Sequence, residues 1–176
     1  GMMFQGGALL DAMTVFDNIA FPLREHSRLG ADAIAAAVHE RLAQVGLANV
    51  DTLLPGQLSG GMTKRAALAR ALIESPSIVL CDEPYSGLDP VSVKKIEALL
   101  LHINRTHGIT MIIVSHHIAT TLRSADQIVL ILPDAIVTGS PAELLRHADP
   151  RVSHFLNEER DETALDLPES ERLDTR

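Results

Sequence analysis

The sequence has little of several residue types, and each shortage excludes a class of protein. Its 176 residues include no tryptophan, and aromatic residues make up 3% of them. Because there is also no basic stripe, this composition argues against nucleic-acid binding. A single cysteine excludes a disulfide framework and favours a reducing cytosol. Cys81 lies within an apolar run, so we interpret it as a small buried hydrophobic residue rather than a reactive thiol.

Long apolar segments are also missing. No charge-free apolar run approaches the ~18–20 residues that span a bilayer, so we expect no direct membrane insertion. The length suits one globular domain. The net charge of −8 is uneven, because residues 157–176 hold eight acids and three arginines, a net −5. We therefore expect the acidic tail, residues 158–176, to be mobile or docked on a partner, with a solvated terminus as the alternative.

The order of apolar patterns predicts an α/β fold with a mainly parallel sheet. Residues 10–55 indicate helices, because apolar residues recur there at helical spacing before Gly46: Ile34, Val38, Leu42 and Val45. Residues 56–139 alternate strand and helix, with β-rich runs at 78–81, 109–114 and 128–132. Strands separated by helices favour a parallel sheet whose chemistry lies at the carboxyl ends of the strands.

Two helix starts are well marked. Asp89-Pro90 is an N-cap followed by proline, and the helix it opens should end at Gly108. Its buried face is expected to hold Val93, Ile96, Leu100 and Ile103. Ser140-Pro141-Ala142-Glu143 is a capping box, which predicts helices over 140–157.

A glycine pair in LSGGMTKRAALARAL suits the binding of an anion. Gly60 and Gly61 allow close approach of backbone amides, the helix N-terminus is partly positive, and Ser59 adds a hydroxyl donor. An ordinary helix cap would have the same residues, so this motif alone leaves both interpretations open.

Polar residues follow two of the apolar strands. In IVLCDEP, Asp82 could hold Mg²⁺ through water and Glu83 could polarise an attacking water, although two exposed acids in a turn are the alternative. His116 in IIVSHH could donate a hydrogen bond to a developing phosphoryl charge, or could be structural.

Five motifs occur in a fixed order: Gln5 in MMFQGGALL, LSGG at 58–61, CDEP at 81–84, SGLD at 86–89 and VSH at 114–116. The series resembles the nucleotide-binding subunit of ATP-binding-cassette (ABC) transporters. By that resemblance the five would be, in order, the Q-loop glutamine, the signature, the end of the Walker B strand, the D-loop and the H-loop histidine.

A branch of that family is indicated by three longer stretches. FQGGALLDAMTVFDNIAFPLREH (4–26), SGGMTKRAALARAL (59–72) and DPRVSHFL (149–156) are similar to the ATPase subunit of Mce/Mla-type systems. Those systems move phospholipid, sterol or organic solvent between membranes of the bacterial envelope. The resemblance covers residues 1 to about 157.

The resemblance implies a homodimer that sandwiches two ATP molecules, with Mg²⁺, at the cytoplasmic face of the inner membrane. The implied ATP-binding residues are Ser59, Gly60 and Gly61 towards the partner's ATP, with Gln5 and Asp89 as further contacts. The implied catalytic residues are Glu83 and His116, and the implied Mg²⁺ ligands, through water, are Asp82 and Gln5. ATP would drive closure of the dimer.

The same resemblance assigns parts to the chain. Residues 1–9 would be the Q-loop segment, and 10–55 an α-helical subdomain that transmits motion to a membrane permease. Residues 56–139 would be part of a P-loop NTPase core, 140–157 the C-terminal helices, and 158–176 the flexible tail.

No G-x-x-x-x-G-K-[ST] motif occurs in the 176 residues. Since the P-loop makes most β,γ-phosphate contacts, we expect no complete ATP site and no ATP hydrolysis by this chain alone. We expect a fragment or a shortened reading frame, lacking the P-loop strand and an antiparallel β subdomain. The alternatives are a non-transport ABC ATPase, which should have coiled-coil insertions or basic surfaces, and a non-catalytic dimerisation or docking module.

Overall fold

A computed structural model describes residues 1–165 of the chain. These residues fall into two compact units, the first Gly1–Ser115 and the second beginning at His116. The division lies after the third strand, inside the predicted segment 56–139. In order, the first unit contains β1 (Met2–Met3), α1 (Val15–His26), α2 (Ala31–Gln44), a 3₁₀ turn (Pro55–Gln57), α3 (Gly60–Leu72), β2 (Ile78–Asp82), α4 (Pro90–His107) and β3 (Thr110–Val114).

The first unit is built on a three-stranded parallel sheet in the order β1-β2-β3. Asp82 at the end of β2 is in register with Val114 at the end of β3. Within β2, Val79 and Cys81 are buried while alternate residues are not. Burial raises the pKa of the Cys81 thiol to about 12, which fits its interpretation as a buried hydrophobic residue.

The helix predictions for this unit are confirmed. The apolar stripe of α2 is buried, and Gly46 follows the helix with φ of 67°. Asp89 caps α4 through bonds from the amides of Val91 and Ser92 to Oδ1, both 3.0 Å. Gly108 ends α4 in the left-handed region with φ of 63°, and the four residues of the predicted apolar face are all buried: Val93, Ile96, Leu100 and Ile103.

The second unit contains α5 (Ile118–Ser124), β4 (Ile128–Ile131), β5 (Ile136–Gly139), α6 (Pro141–Leu144) and α7 (Pro150–Leu165). The strand predicted at 128–132 is present as β4, but its assignment to the parallel sheet is wrong. Within residues 1–165, β4 pairs only with β5, in an antiparallel hairpin. The turn is short enough to reverse the chain directly, whereas a parallel neighbour needs a long crossover. β5 itself was not predicted.

The capping box at Ser140 is confirmed, since Ser140 Oγ accepts from the amide of Glu143 and the Glu143 carboxylate accepts from the amide of Ser140. α7 continues to Leu165, so the first part of the predicted tail is helical. The remainder of that tail, 166–176, lies outside the described residues. Within the part that is described, no helix is both long and apolar enough to cross a membrane.

Candidate functional site

The signature turn forms the N-terminus of α3. Ser59 is the N-cap, and its Oγ accepts from the amide of Met62 at 3.4 Å. A Cβ added at Gly60 would lie 3.5 Å from Leu88, and one added at Gly61 would lie 3.9 Å from Ser92 Oγ. The turn therefore sits beside the start of α4, and its two glycines leave the first amides of α3 open to a ligand.

Glu83 lies in a tight turn directly after β2. Its φ of 46° is unusual for a residue with a side chain. Its amide donates to the carbonyl of Val114 on β3 at 2.9 Å, and its own carbonyl accepts from the amide of Ser86 at 3.2 Å. The Oε2 atom is buried. These hydrogen bonds at the amide and the carbonyl of Glu83 fix its backbone, and therefore the direction in which its side chain extends from the turn.

Gln5 reaches the same turn from the opposite end of the sequence. β1 pairs with β2, which brings the segment after β1 to the carboxyl edge of the sheet. There Gln5 Nε2 donates to Ser86 Oγ at 3.4 Å. Gln5 thus lies at the turn that follows β2, and its part in a nucleotide site together with Asp82 and Glu83 stays a prediction.

Lys64 joins these parts, and sequence reasoning missed it. Its ammonium donates to the main-chain carbonyls of Gln5 and Glu83, the latter at 2.9 Å. Lys64 lies five residues after Ser59 on α3, which is ~7.5 Å along the helix axis. The signature turn and the Glu83 turn are therefore connected through one buried side chain. The sequence feature that could have indicated this role is a lysine on the alanine- and leucine-rich face of α3.

Two more side chains fix the loop that follows Gln5. Arg70 of α3 donates to the carbonyls of Gly7 at 2.8 Å and Ala8 at 2.7 Å, and both residues have positive φ. Burial lowers the pKa of Arg70. Asn18, fully buried in α1, holds both the amide and the carbonyl of Leu10. Neither residue was predicted.

The remaining predicted residues have other contacts. Asp89 caps α4 and also accepts from Ser92 Oγ, and these bonds lower its pKa. His116 opens the second unit, where its ring stacks on that of His117 with centroids 4.8 Å apart. The geometry described therefore joins Gln5, Asp82 and Glu83 in one unit and leaves the role of His116 a prediction.

The residues at the end of β2 fit a magnesium ion held mainly by water and phosphate. Mg²⁺ is usually bound by one or two protein oxygens plus substrate phosphates. Asp82 and Gln5 are the predicted ligands, both through water, and this assignment stays a prediction. In residues 1–157, whose side chains are described, no group of three or more His, Cys, Asp or Glu side chains forms a cage for a metal ion.

Comparison with known proteins agrees with this geometry. Residues 1–86 match the ABC transporter family. The chain is 42% identical to the intermembrane phospholipid transport system ATP-binding protein MlaF of Escherichia coli K12, over 89% of this chain and 58% of that protein. It is 44% identical to the probable ribonucleotide transport ATP-binding protein mkl of Mycobacterium tuberculosis H37Rv, over 89% of this chain and 44% of that protein. The chain thus spans about half the length of the curated relatives it matches.

Solved structures show the same fold. CbiO1 of Clostridium perfringens, part of the ABC transporter complex cbiONQ, aligns with a TM-score of 0.75 and 27% identity over 89% of this chain and 66% of that chain. The ATP-binding cassette MJ0796, solved as a dimer bound to ADP and Pi, aligns with a TM-score of 0.71 and 30% identity over 80% of this chain and 62% of that chain. The motifs, the fold and the relatives thus agree in their similarity to the ABC transporter family, whose model matches residues 1–86.

Proposed function

We propose that this chain supplies the signature and hydrolytic parts of an ATPase subunit that drives an ABC transporter. The observation that carries the proposal is the convergence at the carboxyl edge of the parallel sheet. The side chain of Gln5 contacts the turn that contains Glu83, and α3, which begins at the signature, holds the backbone of both residues. Such an arrangement suits the positioning and electrostatic stabilisation that phosphoryl transfer requires.

Each residue of this edge has a distinct role in the proposal. Glu83 is the general base that accepts a proton from the attacking water, because its carboxylate emerges from a backbone fixed at both the amide and the carbonyl. Asp82 and Gln5 would hold Mg²⁺ through water, and the ion would neutralise phosphate charge. His116, which opens the second unit, is assigned the hydrogen bond to the developing phosphoryl charge from its motif alone.

The signature turn serves the ATP of a second copy. Ser59, Gly60 and Gly61 offer a hydroxyl and helix amides at the N-terminus of α3, where Ser59 and Gly60 are exposed. Asp89 lies at the start of the neighbouring helix α4 and contributes to the same dimer interface. The dimeric structure of MJ0796 with ADP and Pi supports a two-copy site. ATP binding then favours the closed dimer, which is a shift between two states.

The transported molecule is proposed to be a phospholipid or a related organic solvent, from the similarity to MlaF. The α-helical segment 10–55 would bind a membrane permease, and the subunit would lie at the cytoplasmic face of the bacterial inner membrane. ATP-dependent transfer of labelled phospholipid between vesicles, with this chain replacing the equivalent part of E. coli MlaF, tests the substrate. Transfer no faster than without ATP would contradict it.

Hydrolysis is tested in a fusion that places the P-loop-containing N-terminal segment of E. coli MlaF before residue 1. Glu83→Gln should lower the ATPase rate of this fusion by about 10²–10⁴, because a general base is lost. Glu25→Gln, on the exposed side of α1, is the matched control and should leave the rate within twofold. A Glu83→Gln rate within twofold of the parent fusion would reject the proposed role.

A non-catalytic docking module is the second candidate, because the sequence contains no P-loop. The 176-residue chain alone should show no ATPase activity above background. Light scattering with and without ATP distinguishes the candidates in the fusion. An ATPase subunit should dimerise with ATP, most clearly in the slow Glu83→Gln variant, whereas a docking module should keep one mass in both conditions.

A further inference from the structure

Lys64 is a buried cation in the middle of α3. It shares the buried face of that helix with Ala67, Leu68 and Ala71, and it is 6% exposed. Burial of an ammonium is unfavourable unless hydrogen bonds replace its water. Here burial lowers the pKa of Lys64, and the nearby carboxylates of Glu83 and Asp82 act in the opposite direction. An apolar residue would suit the packing of this face better, so the presence of a lysine here needs a structural explanation.

The ammonium donates to two backbone carbonyls from distant parts of the chain. One belongs to Gln5, 59 residues away, and the other to Glu83, 19 residues away. An ammonium has three donors and no acceptor, so one group can hold several carbonyls at once. Because these two partners are main-chain atoms, Lys64 acts on the position of the backbone at Gln5 and Glu83.

Both carbonyls belong to segments of constrained backbone. Glu83 has φ of 46°, and Gly7 and Ala8, just after Gln5, have φ of 81° and 45°. Residues with side chains adopt such conformations only when the surrounding structure enforces them. Arg70 holds Gly7 and Ala8 from α3, and Lys64 holds the two carbonyls on either side of the site. The signature helix thus sets the backbone geometry of both segments.

We propose that Lys64 is a positioning residue that locks the Gln5 segment to the Glu83 turn and links both to the signature helix. The proposal rests on the proposed ATPase function for its kinetic consequence. The hydrogen-bonded link itself is independent of that function. A subunit with this link moves its hydrolytic residues together with the turn that serves the ATP of the second copy.

The kinetic test uses the MlaF fusion described above. Lys64→Met keeps the volume and removes every donor, so kcat should fall by about 10–100-fold, as expected for misplacing a catalytic group by about 1 Å. The KM for ATP should stay within about twofold, because Lys64 does not contact the nucleotide. Lys94→Met, at an exposed position of α4, is the matched control and should change neither constant.

A double-mutant cycle distinguishes positioning from general damage to the fold. In the Glu83→Gln background, Lys64→Met should lower kcat by less than about twofold further, because the base that it positions is already absent. An equal loss in both backgrounds would overturn the proposal, as would a Lys64→Met rate within twofold of the parent. Lys64→Gln keeps two donors on a shorter side chain, so its kcat should be higher than that of Lys64→Met. A lower kcat for the Gln variant would also overturn the proposal.

Hydrogen exchange tests the link without any activity. In the 176-residue chain, the amides of Gly7 and Ser86 donate to carbonyls within their own segments, and the amide of Glu83 donates to the carbonyl of Val114 on β3. Lys64→Met should speed exchange in peptides covering 2–9 and 82–88 together, by about tenfold or more, and leave α2 unchanged. Faster exchange in neither segment, or in only one, would overturn the link. If the parent fusion shows no Glu83-dependent hydrolysis, the proposed function fails, and the exchange result still decides the link.

Discussion

Asn18 offers a measurable test of how the loop after Gln5 is held. Its side chain is fully buried in α1. Its Oδ1 accepts from the amide of Leu10 at 2.7 Å, and its Nδ2 lies 3.0–3.1 Å from the carbonyls of Leu10, Met13 and Thr14. A side-chain amide has two N–H groups, so one of them is shared between carbonyls. Asn18 therefore makes about three effective hydrogen bonds, one through Oδ1 and two through Nδ2.

Asn18→Ala should destabilise the first unit by about 3 kcal/mol, from about 1 kcal/mol for each of these bonds. Carbonyls left without a donor could add to this value. Asn18→Asp should be at least as destabilising near neutral pH, because a buried anion would face three carbonyl oxygens. Lys95→Ala, at an exposed position of α4 in the same unit, is the control and should change stability by less than about 0.5 kcal/mol.

The assay is urea denaturation followed by tyrosine fluorescence. The sequence has one tyrosine and no tryptophan, and Tyr85 is 2% exposed in the same unit as Asn18. The signal therefore reports the unfolding of that unit alone. An Asn18→Ala free energy of unfolding within about 0.5 kcal/mol of the parent would refute the assignment of these bonds. An Asn18→Asp variant as stable as the parent would also refute it.

Two further changes test other parts of the structure. Gly7→Ala should lower the free energy of unfolding in urea, since Gly7 has φ of 81° and an added Cβ would lie 3.1 Å from Thr63. Gly6→Ala is the control and should be near neutral, because nothing lies within 4 Å of its added Cβ. Equal effects of the two substitutions would contradict this reasoning. Hydrogen bonds from Arg151 lower the pKa of Asp149 from 3.8 to about 2, so this carboxylate stabilises the folded state above about pH 4 and loses that effect as pH falls through 2. The stability difference between parent and Asp149→Asn, measured by circular dichroism in urea, should therefore be present at neutral pH and shrink on acidification; a constant difference would contradict the assignment.

Local features of the fold could be predicted because their signals are short in sequence. Asp89-Pro90 and Gly108 mark both ends of α4 through capping, which depends on a few neighbouring residues. The β4–β5 pairing was less accessible. The apolar run at 128–132 indicates a strand, but the strand that pairs with it depends on which edge lies nearby in the fold. Here a short turn places β5 beside β4.

The candidate site, too, could be predicted only in part from the sequence. Gln5 and Glu83 could be identified from the order of motifs, and β1–β2 pairing brings their segments to one edge. Lys64 could not be identified as their link, because a lysine on an apolar helix face carries no indication of its acceptors. Its partners are two main-chain carbonyls, and carbonyls have no sequence signature.

The sequence by itself determined the ends of α4, two strands of the parallel sheet (β2 and β3) and the residue types available for phosphate chemistry, because capping, periodicity and motif spacing act over a few residues. Only the tertiary structure decided that one buried ammonium from the signature helix would hold two distant backbone segments together. That outcome depends on the packing of α3 against the sheet edge, where three parts of the chain meet at a single nitrogen atom.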